Sequence, residues 1–364
     1  MPAFTGQLRS NEIFAALFNM IISQEVFSDN IYDTKASLVD MSRVDGTLYG
    51  DTKLYYSTDV LKSVPWGNDA EATNLLALHR PKAPECQAIV IDQFRQISLT
   101  VDNYLSKRAW GDEYAFSQFN SIMLGWIRDT KRVYDSTNFN TYIGTAETAI
   151  GKQTLTITLP VDANVETMNR LQAQTIATEL ADMLVELEDV SRDYNDYGHL
   201  RSYSQDAVIV IWNSEWLNKI KKIDLPTIFH KDDLLDKMGE YTLPARYFGK
   251  INATGGTVPA SNITIRSLIE TDYTVSGTET HVFPGDLLPA GATYKANETY
   301  SEDTTIIFKI MHKRSVPYMS AFEVGTSFFN PKSLTENHYL TFGLNTLEYL
   351  KNYPFITARG VDAS

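Results

Sequence analysis

The sequence holds a single cysteine, Cys86, in 364 residues. One thiol closes no disulfide within its own chain and supplies no paired thiolates for a zinc site. Cys86 is expected to be a small buried or half-buried side chain. Basic residues are also short, with 32 Lys and Arg against 45 Asp and Glu, a net charge of −13. A surface of that sign repels phosphate, which excludes tight nonspecific nucleic-acid binding as the dominant function. Long apolar runs are missing too. No window approaches the roughly 18 uninterrupted apolar residues of a membrane helix. The apolar run Ile13–Ile22 is broken by Asn19 and has no basic flank or small-residue cleavage site. A soluble protein made in the cytoplasm, without membrane contact, is expected.

The motifs of common chemistries are also absent. Neither G-x-G-x-x-G nor G-x-x-x-x-G-K-[ST] occurs, and no G-x-S-x-G elbow occurs. The six histidines, His79, His199, His230, His281, His312 and His338, form no metal-spaced pair. Asp193, Asn195, Asp196 and Gly198 imitate the start of a calcium loop, but Tyr197 and Ser204 stand where further ligands belong, so a helix-terminating turn is expected. The N-x-[ST] matches at Asn252, Asn262 and Asn297 mean little without a secretion signal. His312-Lys-Arg314 reads as a solvated or interface charge group. A carboxylate pair for sugar hydrolysis depends on three-dimensional distance, which abundant Asp and Glu do not establish. No catalytic, cofactor-binding or metal-binding residue is assigned, and no cofactor is expected.

What is present is pattern. From Ile89 to Val101, the residues Ile89, Ile91, Ile97, Leu99 and Val101 occupy odd positions, which is strand periodicity. After Trp110-Gly111, Asp112 caps a helix whose aromatic seam runs through Phe116, Phe119, Met123, Trp126 and Ile127. Trp126 on that seam is expected to pack on a sheet. A second helix is predicted over Val165–Val190, after a strand at Thr154–Leu159. An apolar strand at Ala207–Trp212 leads into a helix at Ser214–Lys222. Between Gly46 and Val101, two extended stretches flank a loop with Pro65, Gly67, Pro81 and Pro84, which fits a long two-stranded excursion. Residues 242 to about 303 read as short strands and loops, and strands return at Thr305–Met311, Tyr339–Leu344 and Tyr353–Arg359. With 43% hydrophobic residues the chain can bury a sizeable core. Its 12% aromatics tilt towards interfaces, where rings give large contact area at small rotamer cost.

This order of elements resembles the major capsid proteins of tailed double-stranded DNA phages, which share the Hong Kong 97 fold. The stretch from Ser191-Arg-Asp-Tyr-Asn195 through Arg201-Ser-Tyr-Ser-Gln-Asp-Ala-Val-Ile-Val-Ile-Trp212 is similar to that of small short-tailed podophages. The resemblance implies an α+β Hong Kong 97-like fold. Residues 1–45 would form an N-terminal arm, 46–99 an E-loop, and 100–204 a P-domain whose spine helix is Asp112–Tyr134. Residues 205–304 would form an A-domain, and 305–364 would return to the P-domain. It implies a major capsid protein that assembles with itself, as pentamers and hexamers, into an icosahedral shell around the phage genome. The implied partners are a separate scaffolding protein, a portal protein, decoration proteins and packaged DNA by weak nonspecific contact. The implied location is the virion capsid, after synthesis in the host cytoplasm. Family crosslinking chemistry aligns with neither Lys53 nor Lys62. Two rival readings are an encapsulin-like nanocompartment shell, which has the same fold, and a phage tailspike or glycan hydrolase.

Overall fold

A computed structural model of the chain describes residues 38–45, 52–63, 78, 80–102, 113–148, 151–221, 241–259, 263–266, 274–275, 278–279 and 283–363. The centre is β5 (Val208–Asn213), where Val-Ile-Val-Ile-Trp-Asn is buried at every position. It lies in a five-stranded sheet of order β4-β17-β14-β5-β6, formed by β4 (Thr154–Leu159), β17 (Phe355–Asp362), β14 (Ile306–His312) and β6 (Tyr241–Leu243). β14 runs antiparallel to both neighbours, while β4 and β6 join in parallel at the two edges. The period of two divides β5 between two cores. Val208, Val210 and Trp212 pack with Ile176, Leu180 and Leu184 of the helix Val165–Glu188. Ile209 and Ile211 face the other way, with Phe139 and Ile143 of the helix Glu113–Thr145. Helices on both faces explain why the strand reads as an unbroken apolar run rather than an alternation.

The helices, in chain order, are α1 (Leu38–Ser42), α2 (Glu113–Thr145), α3 (Val165–Glu188) and α4 (Ser214–Lys221). α3 matches its sequence pattern apart from its ends. The Asn164 side chain accepts from the amides of Glu166 and Thr167 at 3.0 and 3.3 Å, which sets the start. Val165 and Val190 are solvent-exposed, so the buried stripe is shorter than the apolar pattern suggested. α2 runs past Tyr134 to Thr145. Its last turns bury Asp135, Ser136, Asn138, Thr141 and Thr145, polar side chains that hide the apolar period from a sequence reader. Near its end, Gly144 meets the backbone of Tyr247 so closely that a Cβ would lie 1.9 Å from the carbonyl oxygen.

Trp126 overturns the expected burial face. Ile127, Lys131, Tyr134, Asp135, Asn138, Phe139, Tyr142 and Ile143 form the buried stripe, whereas Trp126 is 48% exposed. One residue is a turn of about 100°, enough to carry Trp126 off the edge of the stripe to which Ile127 belongs. Phe116, Phe119 and Met123 are outside the described side chains. Trp126→Ala should therefore shift the stability of the free subunit by about 1 kcal/mol or less. Trp212→Ala, which empties a fully buried site in β5, should cost about 3–5 kcal/mol. Chemical denaturation of the two variants tests the assignment, and equal losses would refute it.

A second five-stranded sheet has the order β1-β15-β16-β3-β2 and comprises β1 (Arg43–Asp45), β15 (Tyr318–Asn330), β16 (Thr335–Asn345), β3 (Glu85–Asp102) and β2 (Thr52–Ser57). In β3 every odd position is buried or half-buried and every even one exposed up to Thr100, as the sequence pattern predicted. β2 pairs antiparallel with the first third of β3, from Thr52 opposite Val90 to Ser57 opposite Glu85, which gives the two-stranded excursion its foot. β3 continues unbroken across residue 99 into its pairing with β16. Cys86 is exposed, contrary to expectation, because an even position of β3 points outward, here opposite Tyr56. β15 was not legible as a strand, since Ser320, Glu323, Gly325, Thr326 and Ser327 dilute any apolar alternation.

Of the residues expected to form an arm, 38–45 are tied down. Leu38 and Val39 enter the core and β1 pairs in parallel with β15, while the apolar run Ile13–Ile22 lies outside the described residues. Residues 242–303 do form short strands. β13 (Thr299–Glu302) stands between β7 (Gly249–Ile251) and β9 (Ile263–Ile265). β8 (Gly256–Thr257) pairs with β12 (Thr293–Tyr294), and β10 (Thr274–Val275) with β11 (Thr278–Glu279).

Candidate assembly surfaces

The β2–β3 hairpin is clamped at its foot. Leu200 N–H and Arg192 both donate to Asp59, at 3.0 and 2.6 Å, and hold its carboxyl well below the usual carboxylate range. Arg201 donates to the Thr58 carbonyl at 2.5 Å. Ser57 Oγ donates to Asn352 at 2.6 Å and lies 2.8 Å from the ring of buried His199. The turn after α3, with Gly198 at φ +64°, thus serves as the socket for the hairpin. Its acids are engaged by protein groups. Asp193 pairs with Lys152, and Asp196 accepts from Gln153 and Tyr349. Among the described residues no group of His, Cys, Asp and Glu is arranged to hold a metal.

Beyond its foot the hairpin turns apolar groups outward. Leu54, Tyr56 and Val90 are 40–65% exposed, and Val60, Leu61 and Leu78 nearby are more than half exposed. The same outward face continues across the sheet through Phe94, Val324 and Phe328. Polar pairs cross between these, with Gln96 donating to Thr341 at 3.0 Å and Thr100 to Asn337 at 2.7 Å. Exposed apolar area of this extent, rimmed by polar groups, is the character of a protein interface.

The inward face is pinned by buried charge. Asp135 of α2 accepts from Lys131 at 2.9 Å, from Arg43 at 3.3 Å and from the Tyr318 hydroxyl at 2.7 Å. Helix, arm and β15 meet in this one carboxylate. At the far end of α2, Lys309 of β14 is fully buried and its Nζ donates to the Ala146 carbonyl at 2.6 Å. Arg266 donates to Thr145, and Arg359 bridges Glu147 and Asp303. α2 has no basic residue in its own last turn, so cations from other segments serve the negative end of its dipole.

Besides His199, which meets Ser57, a second histidine finds structural use. His312 is half-buried, stacked on Tyr353 at 4.3 Å, and its Nδ1 accepts from the Arg314 amide. Burial pushes its pKa down to about 4, with Arg314 and Lys313 adding to the shift. It is a packed neutral ring rather than part of a solvated charge group.

The model of the Phi29-like phage major capsid protein family matches residues 5–345. The chain belongs to that family. This major capsid protein therefore builds the wall of a phage head. Solved structures carry the same fold. The capsid of Staphylococcus phage Andhra aligns with TM-score 0.59 at 10% identity, over 99% of this chain and 94% of that one. A chain in the structure of the head fiber and inner core protein gp22 of native bacteriophage P68 aligns with TM-score 0.61 at 10% identity, over 92% and 88%. No curated protein matches the sequence. The mixed α and β architecture expected from the resemblance is that of phage capsid structures, retained while nine residues in ten differ.

Proposed function

We propose that this capsid protein acts purely as a building block. It would assemble as pentamers and hexamers into an icosahedral shell around double-stranded DNA, with no catalytic residue, cofactor or metal. The family match over residues 5–345 carries this reading. The outward face of the β2–β3 hairpin supports it physically, because its exposed apolar side chains gain little within their own subunit and much against a neighbour. In domain terms, residues 1–45 are the arm, 46–99 the E-loop, 100–204 the P-domain, 205–304 the A-domain and 305–364 the return to the P-domain. A separate scaffolding protein and a portal protein are the assembly partners, decoration proteins a further class, and DNA is touched only weakly. Synthesis is in the host cytoplasm, and the mature location is the virion.

The test is co-expression with the phage's scaffolding protein, followed by sedimentation and negative-stain microscopy. Closed particles of uniform size are expected. A stable monomer or trimer under every assembly condition would refute the proposal.

A further inference from the structure

In the second sheet β16 flanks β15 on one side, and on the other β1 pairs with it only over Tyr318–Ser320. Beyond that short contact, Val324–Phe329 has no strand on the β1 side among the described residues. All six residues are exposed. Such an edge turns half of its backbone N–H and C=O groups away from the ladder, and neither Lys nor Pro, the usual guards, stands anywhere in Tyr318–Asn330. It is open to another strand.

The side chains along this edge narrow the choice of partner. Alternation puts Val324, Thr326 and Phe328 on the outward face and Gly325, Ser327 and Phe329 on the inward one. Phe328 and Phe329 are 61% and 50% exposed, so each face carries an uncovered ring. Gly325 has no positive φ and a Cβ there would meet nothing within 4 Å, so neither backbone conformation nor crowding within the chain requires a glycine. Gly325 and Ser327 border an open cleft of about 640 Å³, which Ile127 of α2 and Leu340 of β16 also line. The space over Gly325 has room for a ring.

On the shell-building reading above, we infer that the free edge of β15 pairs antiparallel with the same edge of a second copy, about a two-fold axis at Ser327. In that register Ser327 stands opposite its own counterpart, Thr326 opposite Phe328, and Gly325 opposite Phe329, each pair on one face of the joined sheet. The partner's Phe329 then lies over Gly325 and enters the cleft, which covers both the ring and the bare glycine backbone. An isologous contact needs a self-complementary surface, and Val-Gly-Thr-Ser-Phe-Phe supplies one. No charged residue stands in Val324–Asn330, so two subunits of net charge −13 meet there without direct repulsion. A partner recognised by charge would find nothing to grip, which favours a second copy.

Ser327→Cys in a Cys86→Ser background tests the register directly, because opposite residues of antiparallel strands stand about 4.5–5.5 Å apart at Cα, within disulfide reach. After mild oxidation of shells assembled with the scaffolding protein, this variant should run as a covalent dimer on a nonreducing gel. Lys332→Cys in the same background lies past the strand end, far from the axis, and should stay single. Thr326→Lys with Phe328→Lys sets like charges opposite each other and should lower the yield of closed particles at least about tenfold. Both side chains are exposed, so the subunit melting temperature should stay at that of the unaltered protein. Intact shells in which Ser327→Cys stays single would overturn the contact, as would undiminished assembly of the two-lysine variant. Dimers formed through Lys332→Cys instead, or a crosslink from Ser327→Cys to the scaffolding protein alone, would give the edge another partner or register and overturn it too. If the unaltered protein forms no particles, the shell reading fails and the contact falls with it, a result told apart by the missing shells.

Discussion

Asp135→Ala is expected to destabilise the free subunit by about 3–5 kcal/mol, because it removes the buried carboxylate on which Lys131, Arg43 and the Tyr318 hydroxyl converge. Lys131 is 6% exposed, and Asp135 is its charged partner at 2.9 Å. Ser320 at 3.4 Å and the Phe342 ring at 5.3 Å also border the ammonium. Tyr318, fully buried, loses the acceptor for its hydroxyl as well. Asp135→Leu combined with Lys131→Met should recover much of the loss, since an apolar pair of similar volume leaves no charge to desolvate. Urea denaturation of scaffold-free subunits measures both. A loss below about 1 kcal/mol in the single variant would show that water reaches Lys131 readily.

Raising the pH from 7 to 10 should stabilise the subunit through Lys309, with a contribution on the order of 4 kcal/mol that Lys309→Met abolishes. Burial, joined by Arg359 and Arg266 and opposed by Glu147 and Asp303, lowers the pKa of this lysine to about 7. In the folded chain the amine is therefore neutral above pH 7, whereas in the unfolded chain it holds its proton to about 10.5. The unfolded state binds more protons across that window, so stability rises with pH and is lost as pH falls to 7. Above pH 10 the sign reverses for another reason. Buried Tyr142, Tyr300 and Tyr318 resist ionisation in the fold, so their ionisation favours the unfolded chain. The comparison belongs between pH 7 and 10, as the difference between unaltered and Lys309→Met subunits. Parallel stability curves would mean that Lys309 is charged in place.

The same residues show where sequence reading succeeds. Strong periodicity survives folding wherever a segment buries one face or both. β3 keeps its odd positions inward, β5 is buried throughout, and α3 was placed to within two residues of its end. These segments are specified by local pattern, because the apolar side chains that define it are the ones that leave water. The family resemblance rested on this order of elements, and the family match bears it out.

The sequence could not settle which face of α2 is buried, how far that helix runs, or where charge is neutralised. Its buried stripe accepts Asp135 because the Lys131 ammonium, the Arg43 guanidinium and the Tyr318 hydroxyl, the last 183 positions away, converge on that carboxylate. A buried polar group costs free energy unless partnered, and whether a partner comes is a tertiary fact. Trp126 looked like core by spacing and proved exposed, while Lys309, within the strand expected at Thr305–Met311, is wholly buried. The sequence alone determined β3, β5, α3 and the family. Only the tertiary structure decided which charges lie inside, because burial of a polar side chain depends on contacts that no local period encodes.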